Sequence, residues 1–276
     1  MKKTTKYLVW ALLAILFVVM MFCGYKIASI WHQYRADQKI YSELGDSYVR
    51  DSDSSQPAVG ASLPVATVEE DGQGSARIGR EMLDEVSPRD VDFHRLITEV
   101  NPEICGWIYC EGSRIDYPVV QHTDNQFYLN HNAKGGSTAA GAIYIDSANF
   151  SNFQDVNTII HGHHLNDGSM FGRLGDWAKQ DYFDAHREFY INTPEGNYKL
   201  TMIMYFVTPA GSDVYRIDFA GEEDVQSWIA WLRSQSLVSS DYRYQEGDRL
   251  VTLSTCMYNF ADARGVLIGY LTPISG

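Results

Sequence analysis

Three hydrophobic patterns succeed one another along the chain. The first is an unbroken apolar run, Tyr7-Leu-Val-Trp-Ala-Leu-Leu-Ala-Ile-Leu-Phe-Val-Val-Met-Met-Phe-Cys-Gly-Tyr25. Its length is close to the roughly 20 residues a helix needs to cross a bilayer. Lys2, Lys3 and Lys6 precede it. By the positive-inside rule they place the N-terminus in the cytoplasm and the bulk of the chain outside. A cleaved signal peptide is the competing reading. The long apolar core, and the lack of a small-x-small site before Lys26, favour an uncleaved anchor.

The second pattern is helical. Ser29 to Leu44 carries Ile30, Trp31, Tyr34 and Ile40 among polar residues and reads as a juxtamembrane continuation. From Gly45 to Ala76 the chain turns to Asp, Ser, Gln, Glu and Gly, too polar to offset the entropy of ordering, which predicts a flexible stalk. Asp90 to Val100 reads as a helix with Phe93, Leu96, Ile97 and Val100 on one face, ended by Asn101-Pro102. Further on, Phe171–Trp177 and Glu222–Ser236 read as helices, the latter with Val225, Trp228, Ile229 and Leu232 facing a core.

The third pattern is short and β-like. Gly106–Cys110, Asp116–Gln121, Gln126–Asn130, Gly141–Asp146, Val156–Ile160, Glu188–Asn192, Tyr198–Val207, Arg249–Cys256 and Gly265–Leu271 are punctuated by Gly, Asn, Asp and Pro. Many short strands with turn signals predict a mainly β fold, a closed barrel or sandwich. The expected organisation is a cytoplasmic tail over 1–6, a transmembrane anchor over 7–25, a juxtamembrane segment and stalk over 26–76, and an extracellular domain over 77–276.

Composition narrows the function. The formal net charge of −13 argues against nucleic acid, which needs basic patches. Four cysteines in 276 residues are too few for a disulfide framework. Cys105 and Cys110, on an extended segment, are too far apart to bridge. Cys256 is thereby left without an obvious partner, either buried and inert or reactive.

Candidate chemistry gathers at strand ends. Leu250-Val-Thr-Leu-Ser-Thr-Cys256 is a β run that ends in a thiol, and Arg264 opens the next run. A nearby cation can stabilise a thiolate. Arg264 could instead pair with Asp262, or donate to a developing oxyanion. Val156-Asn-Thr-Ile-Ile-His-Gly-His-His164 ends in imidazoles. Alternation puts His161 and His163 on one face and His164 on the other. Zinc would need three or four convergent ligands, and no second His or Cys pair lies nearby. Imidazole suits general acid–base work near neutral pH.

The combination resembles the sortases, the cell-wall transpeptidases of Gram-positive bacteria. Thr252-Leu-Ser-Thr-Cys256 with Arg264 resembles their cysteine strand, and Asn157-Thr-Ile-Ile-His-Gly-His-His164 their histidine strand. Asn101–Ile108, Ile115–Val120, Asp124–Asn130 and Asp167–Phe171 are similar to class B segments, as is the extra helix over Glu222–Ser236. Val214–Phe219 is similar to the segment before that helix, its tyrosine offset by one position. Met257 stands where some relatives carry an acidic residue.

The resemblance implies a sortase-type closed β-barrel with an N-terminal helix and an extra helix before the cysteine strand. It implies His163, Cys256 and Arg264 as catalytic residues, and Asn125, Leu129 and Ser254 as residues of the substrate groove. The implied reaction cleaves a C-terminal sorting signal of secreted proteins after threonine, through a thioacyl-enzyme. The acceptor is then an amine of peptidoglycan or a pilin lysine. No metal or organic cofactor is needed. A cysteine endopeptidase, with water as acceptor, and a catalytically silent tethered domain are the readings from other classes.

Overall fold

The computed structural model describes residues 3–52 and 80–275. Two compact units divide the chain, Met1–Ser42 and Glu43–Gly276. In the first, helix α1 begins at Lys3, and it runs on to Tyr48. Apolar side chains including Leu12, Leu16, Phe17 and Val18 are exposed along it. It is the one helix among the described residues that is long and apolar enough to cross a membrane.

The polar stretch begins later than its composition predicts. Gly45 to Tyr48 are still helical, and strand β1 (Val49–Asp51) follows. It pairs antiparallel with β2 (Arg89–Val91), Asp51 opposite Arg89. The Ser52 amide donates to Pro88 O at 3.1 Å, and the Asp92 amide to Tyr48 O at 2.9 Å. Arg89 bonds Asp51, bonds Asp116 at 2.8 Å, and lies over the Tyr109 ring at 4.1 Å. Position 52 therefore sits beside position 88. Most of the expected stalk, 53–76, lies outside the described residues.

The expected helix over Asp90–Val100 is shorter. Asp90 and Val91 are taken by β2. A single turn, α2 (Phe93–Arg95), follows, capped by Asp92, whose carboxylate accepts the Arg95 amide. A wide π turn, Leu96–Val100, completes it and ends at the extended Asn101. Of the predicted face only Leu96 is fully buried.

Eight strands close a barrel in the order β10-β8-β7-β3-β4-β5-β6-β9. They are β3 (Ile104–Tyr109), β4 (Asp116–Val120), β5 (Ile143–Ile145), β6 (Asn157–His161), β7 (Glu188–Thr193), β8 (Gly196–Pro209), β9 (Leu250–Cys256) and β10 (Ala263–Ile274). Two pairings are parallel, β4 with β5 and β6 with β9. Closure buries both Leu253 and Leu267 completely and leaves no free barrel edge.

Two short segments depart from the sequence pattern. Gln126–Asn130 is not a strand but a 3-10 turn, Phe127–Leu129. The Asp124 carboxylate accepts the Gln126 and Phe127 amides at 2.7 and 2.9 Å, which turns the backbone. Phe127 then stacks between His122 and His131, at 4.6 and 4.0 Å, not on a sheet. The helix expected over Phe171–Trp177 is a 3-10 turn, Leu174–Ala178, followed by α3 (Gln180–Ala185). Gly172 and Gly175 weaken a helix there, and Leu165 O packs where a side chain on Gly172 would stand.

Helix α4 (Glu222–Gln235) matches its pattern. Glu222, Glu223 and Asp224 lie in its first turn and Arg233 in its last, complementing the helix dipole. Val225, Trp228, Ile229 and Leu232 are buried in one cluster with Phe206, Leu250, Val266 and Ile268. The helix thus braces the two strands that carry the thiol and the guanidinium.

Candidate active site

Pairing register places the chemistry. Arg264 on β10 stands opposite Cys256 on β9. Ser254, two residues before Cys256, pairs with His161 on β6, which pairs with Tyr144 on β5. Paired residues share a face, as do residues two apart in a strand. Arg264, Cys256, Ser254, His161 and Tyr144 therefore form a continuous row on one side of the sheet. His163 and Asp146 extend the same alternation past the strand ends. A groove of about 380 Å³ opens over this row and is walled on the far side by Asn125 and Leu129. All six residues singled out in the sequence, His163, Cys256, Arg264, Asn125, Leu129 and Ser254, line it.

Cys256 is exposed at the end of its strand. Arg264 is half-buried, and its Nη1 donates to Ala263 O at 3.1 Å. Among the described residues no carboxylate, Asp262 included, lies in salt-bridge distance of it. The guanidinium thus remains available to the groove.

His163 Nε2 lies 2.7 Å from Leu129 O. A carbonyl oxygen only accepts, so Nε2 carries the proton and Nδ1 is left for acid–base exchange. Gly141 makes room for this ring. Its φ is +63°, and a Cβ there would meet Tyr128 O at 2.6 Å and His163 Cδ2 at 2.8 Å. His164 faces away from the groove and meets the Tyr258 ring edge-on at 5.2 Å.

The same lining brings in Asp146, Tyr144 and Tyr215, to which the sequence assigns no role, around His161. Asp146 Oδ2 accepts from His161 Nε2 and from Asn125 Nδ2, each at 2.9 Å. Burial opposes its ionisation, but the bonds from His161, the Ala148 amide and Asn125 outweigh it and hold the carboxyl down at about 2. Tyr144 and Tyr215 wall the groove beside His161, their rings 5.1 and 6.3 Å from the imidazole. Tyr215 shares a 2.7 Å hydrogen bond with Ser254 Oγ. Burial pushes both phenols up, Tyr144 to about 12, so both are neutral at physiological pH. The offset tyrosine before the extra helix still reaches the groove. Alternation around His161 and His163 was the available signal for this wall; the carboxylate partner had none, because it comes from another strand.

A larger cavity of about 1270 Å³ lies elsewhere, lined in part by Arg80, Arg187, Glu188 and Lys199. Its cations are already paired: Arg80 with Asp248 at 2.8 Å, Arg187 with Asp241 at 3.1 Å, Lys199 with Glu188 at 2.8 Å. No cysteine lines it, and size alone does not make it the reactive site.

Comparison with known proteins identifies the family. Residues 108–272 match the sortase domain family. The chain is 28% identical over 254 residues to sortase B of Listeria monocytogenes, covering 92% of each. It is 30% identical to sortase B of Staphylococcus aureus, covering 65% of this chain and 74% of the relative. Among solved structures it resembles Bacillus anthracis sortase B in complex with AAEK1, with a TM-score of 0.69 at 29% identity over 88% of this chain and 100% of that one. It also resembles a Staphylococcus aureus sortase B–substrate complex, with a TM-score of 0.63 at 30% identity over 66% of this chain and 85% of that one. The chain belongs to the sortase family, in its class B branch, and is a cysteine transpeptidase.

Proposed function

We propose that this transpeptidase uses Cys256 as nucleophile, His163 as general acid and base, and Arg264 as oxyanion donor. The observation that carries the assignment is the register of Arg264 opposite Cys256, with His163 lining the same groove. The substrate is the sorting signal of a secreted protein, laid along Asn125, Leu129 and Ser254. The thiolate attacks the carbonyl carbon of its threonine, and the carbonyl pair moves onto oxygen, held by the Arg264 guanidinium. The C–N bond then breaks, and the imidazolium Nδ1–H protonates the leaving amine. A thioacyl-enzyme and a neutral imidazole remain. An amine of peptidoglycan attacks the thioester, gives its proton to His163, and expels the Cys256 thiolate.

The same reading makes α1 a membrane anchor. Residues 1–6 stay in the cytoplasm, 7–25 span the bilayer, and the barrel works outside the cell. The exposed apolar face of α1 and the lysines before it support this. The secreted substrate and the wall acceptor both lie on that side.

The test uses the full-length chain in detergent micelles. A peptide library with a fixed threonine and randomised flanks is incubated with and without triglycine. Ligated product, cut after threonine and lost in His163→Ala, is expected. Only free acid at saturating amine would overturn the acceptor assignment, and ligation by a lysine peptide but not by triglycine would move it to a protein amine.

A further inference from the structure

Two side chains of the groove take no part in the steps above, Asp146 and His161, and both are tied to Asn125 through the Asp146 carboxylate. Strand β6 ends at His161, and the same strand end carries His163 two residues on. The loop that holds the 3-10 turn Phe127–Leu129 carries Asn125 at its start and the Leu129 carbonyl at its end. Asp146 joins the two. Its Oδ2 accepts from His161 Nε2 and Asn125 Nδ2, its Oδ1 accepts the Ala148 amide at 3.0 Å, and Asn125 Oδ1 accepts the Ser147 amide at 2.8 Å. Across the same gap, Leu129 O accepts His163 Nε2. The loop is thus tied to the β6 end at two points four residues apart. One tie is the carboxylate, and the other is the imidazole that acts in catalysis.

We propose that Asp146 and His161 are positioning residues: they hold the Asn125–Leu129 loop so that the Leu129 carbonyl fixes the tautomer and direction of His163. Because Asp146 is ionised it only accepts, so His161 carries its proton on Nε2 and the tie keeps one sense. A carbonyl displaced by about 1 Å no longer satisfies hydrogen-bond geometry to Nε2. His163 would then be free to turn, or to move its proton to Nδ1 and lose the basic nitrogen that Nδ1 provides. Neither residue touches the reacting atoms; both act through the loop. The inference rests on the assignment of His163 above.

The test reads Cys256 directly and needs no peptide substrate. Full-length protein in detergent is alkylated with iodoacetamide between pH 5 and 9, and carbamidomethylation of Cys256 is followed by peptide mass. The charged and titratable groups facing His161 are Asp146, Tyr144, Tyr215, His163, Cys256 and Arg264. Burial keeps the two phenols neutral across that range, so a moved curve reports the thiol and the imidazoles. His163→Ala sets the full effect: slower alkylation at pH 7 and a rate–pH curve moved upward. His161→Ala and Asp146→Ala are expected to reproduce most of it, about 10- to 100-fold at pH 7, the range for loss of a group that orients a functional side chain. His161→Gln, which keeps a donor to Asp146, should come back to within about threefold of wild type. Asn125→Ala cuts the tie from the loop side with Asp146 and His161 intact, and should move the curve the same way even if the other variants fold poorly. Curves unchanged in all of these variants, with only the melting temperature lowered, would overturn the proposal and leave His163 in place. A curve unchanged in His163→Ala would instead overturn the catalytic assignment and the positioning role with it.

Discussion

Two strands of this barrel run into a cysteine, and only one of the two thiols stands in a groove. Strand β9 ends at exposed Cys256, opposite Arg264 in the next strand. Strand β3 is followed directly by Cys110, buried, its thiol donating to Glu111 O. Burial pushes Cys110 up to about 12, with Glu111 adding to it, and pushes half-buried Cys105 on the same strand to about 12 as well. Position at a strand end therefore does not make a nucleophile. What differs is the neighbour in register and the solvent in front. Beside Cys256 the sheet supplies a guanidinium and an open face; Cys110, just past the end of β3, is buried and has the Glu111 carboxylate as its chain neighbour.

The sharpest way to break the comparison is to remove the His163 imidazole from the groove. His163→Ala should lower the transpeptidation rate by roughly 10²–10⁴-fold, the range for loss of a general acid–base group. Steady-state kinetics with ligated product as readout would check this. Next comes the cation in register. Arg264→Ala should cost about 10²–10³-fold in kcat, with little change in KM, because an oxyanion donor acts mainly in the transition state. Arg264→Lys should recover only part of it, since a point charge does not reproduce the planar fork.

The glycine behind His163 gives a smaller effect of a different kind. Gly141→Ala puts a methyl against Tyr128 O and the imidazole in a left-handed backbone. It should cost about 1–3 kcal/mol of stability and slow turnover by displacing the ring; denaturant melts and kinetics on one preparation would separate the two. On the silent side, Cys110→Ala should leave turnover within about twofold and cost only about 1 kcal/mol in a urea melt, as for a small buried side chain. If Cys110→Ala abolished turnover, the division between the two strands would fail.

The smallest effect concerns acid. The Asp146 carboxyl is held at about 2 in the fold, below the usual value near 3.9 in an unfolded chain. A depressed carboxyl contributes stability that is present above the unfolded value and lost as pH falls through the folded one. Melting temperatures of wild type and Asp146→Asn should therefore converge between about pH 4 and pH 2. A gap that stays constant over that window would contradict the ionised tie.

Much of this was legible in the sequence because it is local. Cys256 and Arg264 were found on the runs that carry them, and helix α4 on its 3.6-residue spacing, because each pattern lies within a single element. Alternation around His161, His163 and His164 correctly divided the groove side from the far side. What escaped depends on partners distant in sequence. Asp146 gave no sign of its tie to His161, since β5 and β6 meet only in the sheet. The 3-10 turn at Phe127–Leu129 read as a strand because its apolar residues are stacked by histidines and turned by Asp124, not paired. The polar stretch read as a spacer from Gly45 onward. The pairing of Val49–Asp51 with Arg89–Val91 is a contact across the whole stretch, and no composition announces it.

The most direct test of the account is the intact mass of the full-length chain after mixing with the threonine-centred peptide library, for wild type and Cys256→Ala side by side. The account predicts an adduct of the N-terminal peptide fragment on wild type alone, discharged when triglycine is added. An adduct of equal yield on Cys256→Ala, or ligated product formed by that variant, would show that the thiol at the end of β9 is not the nucleophile.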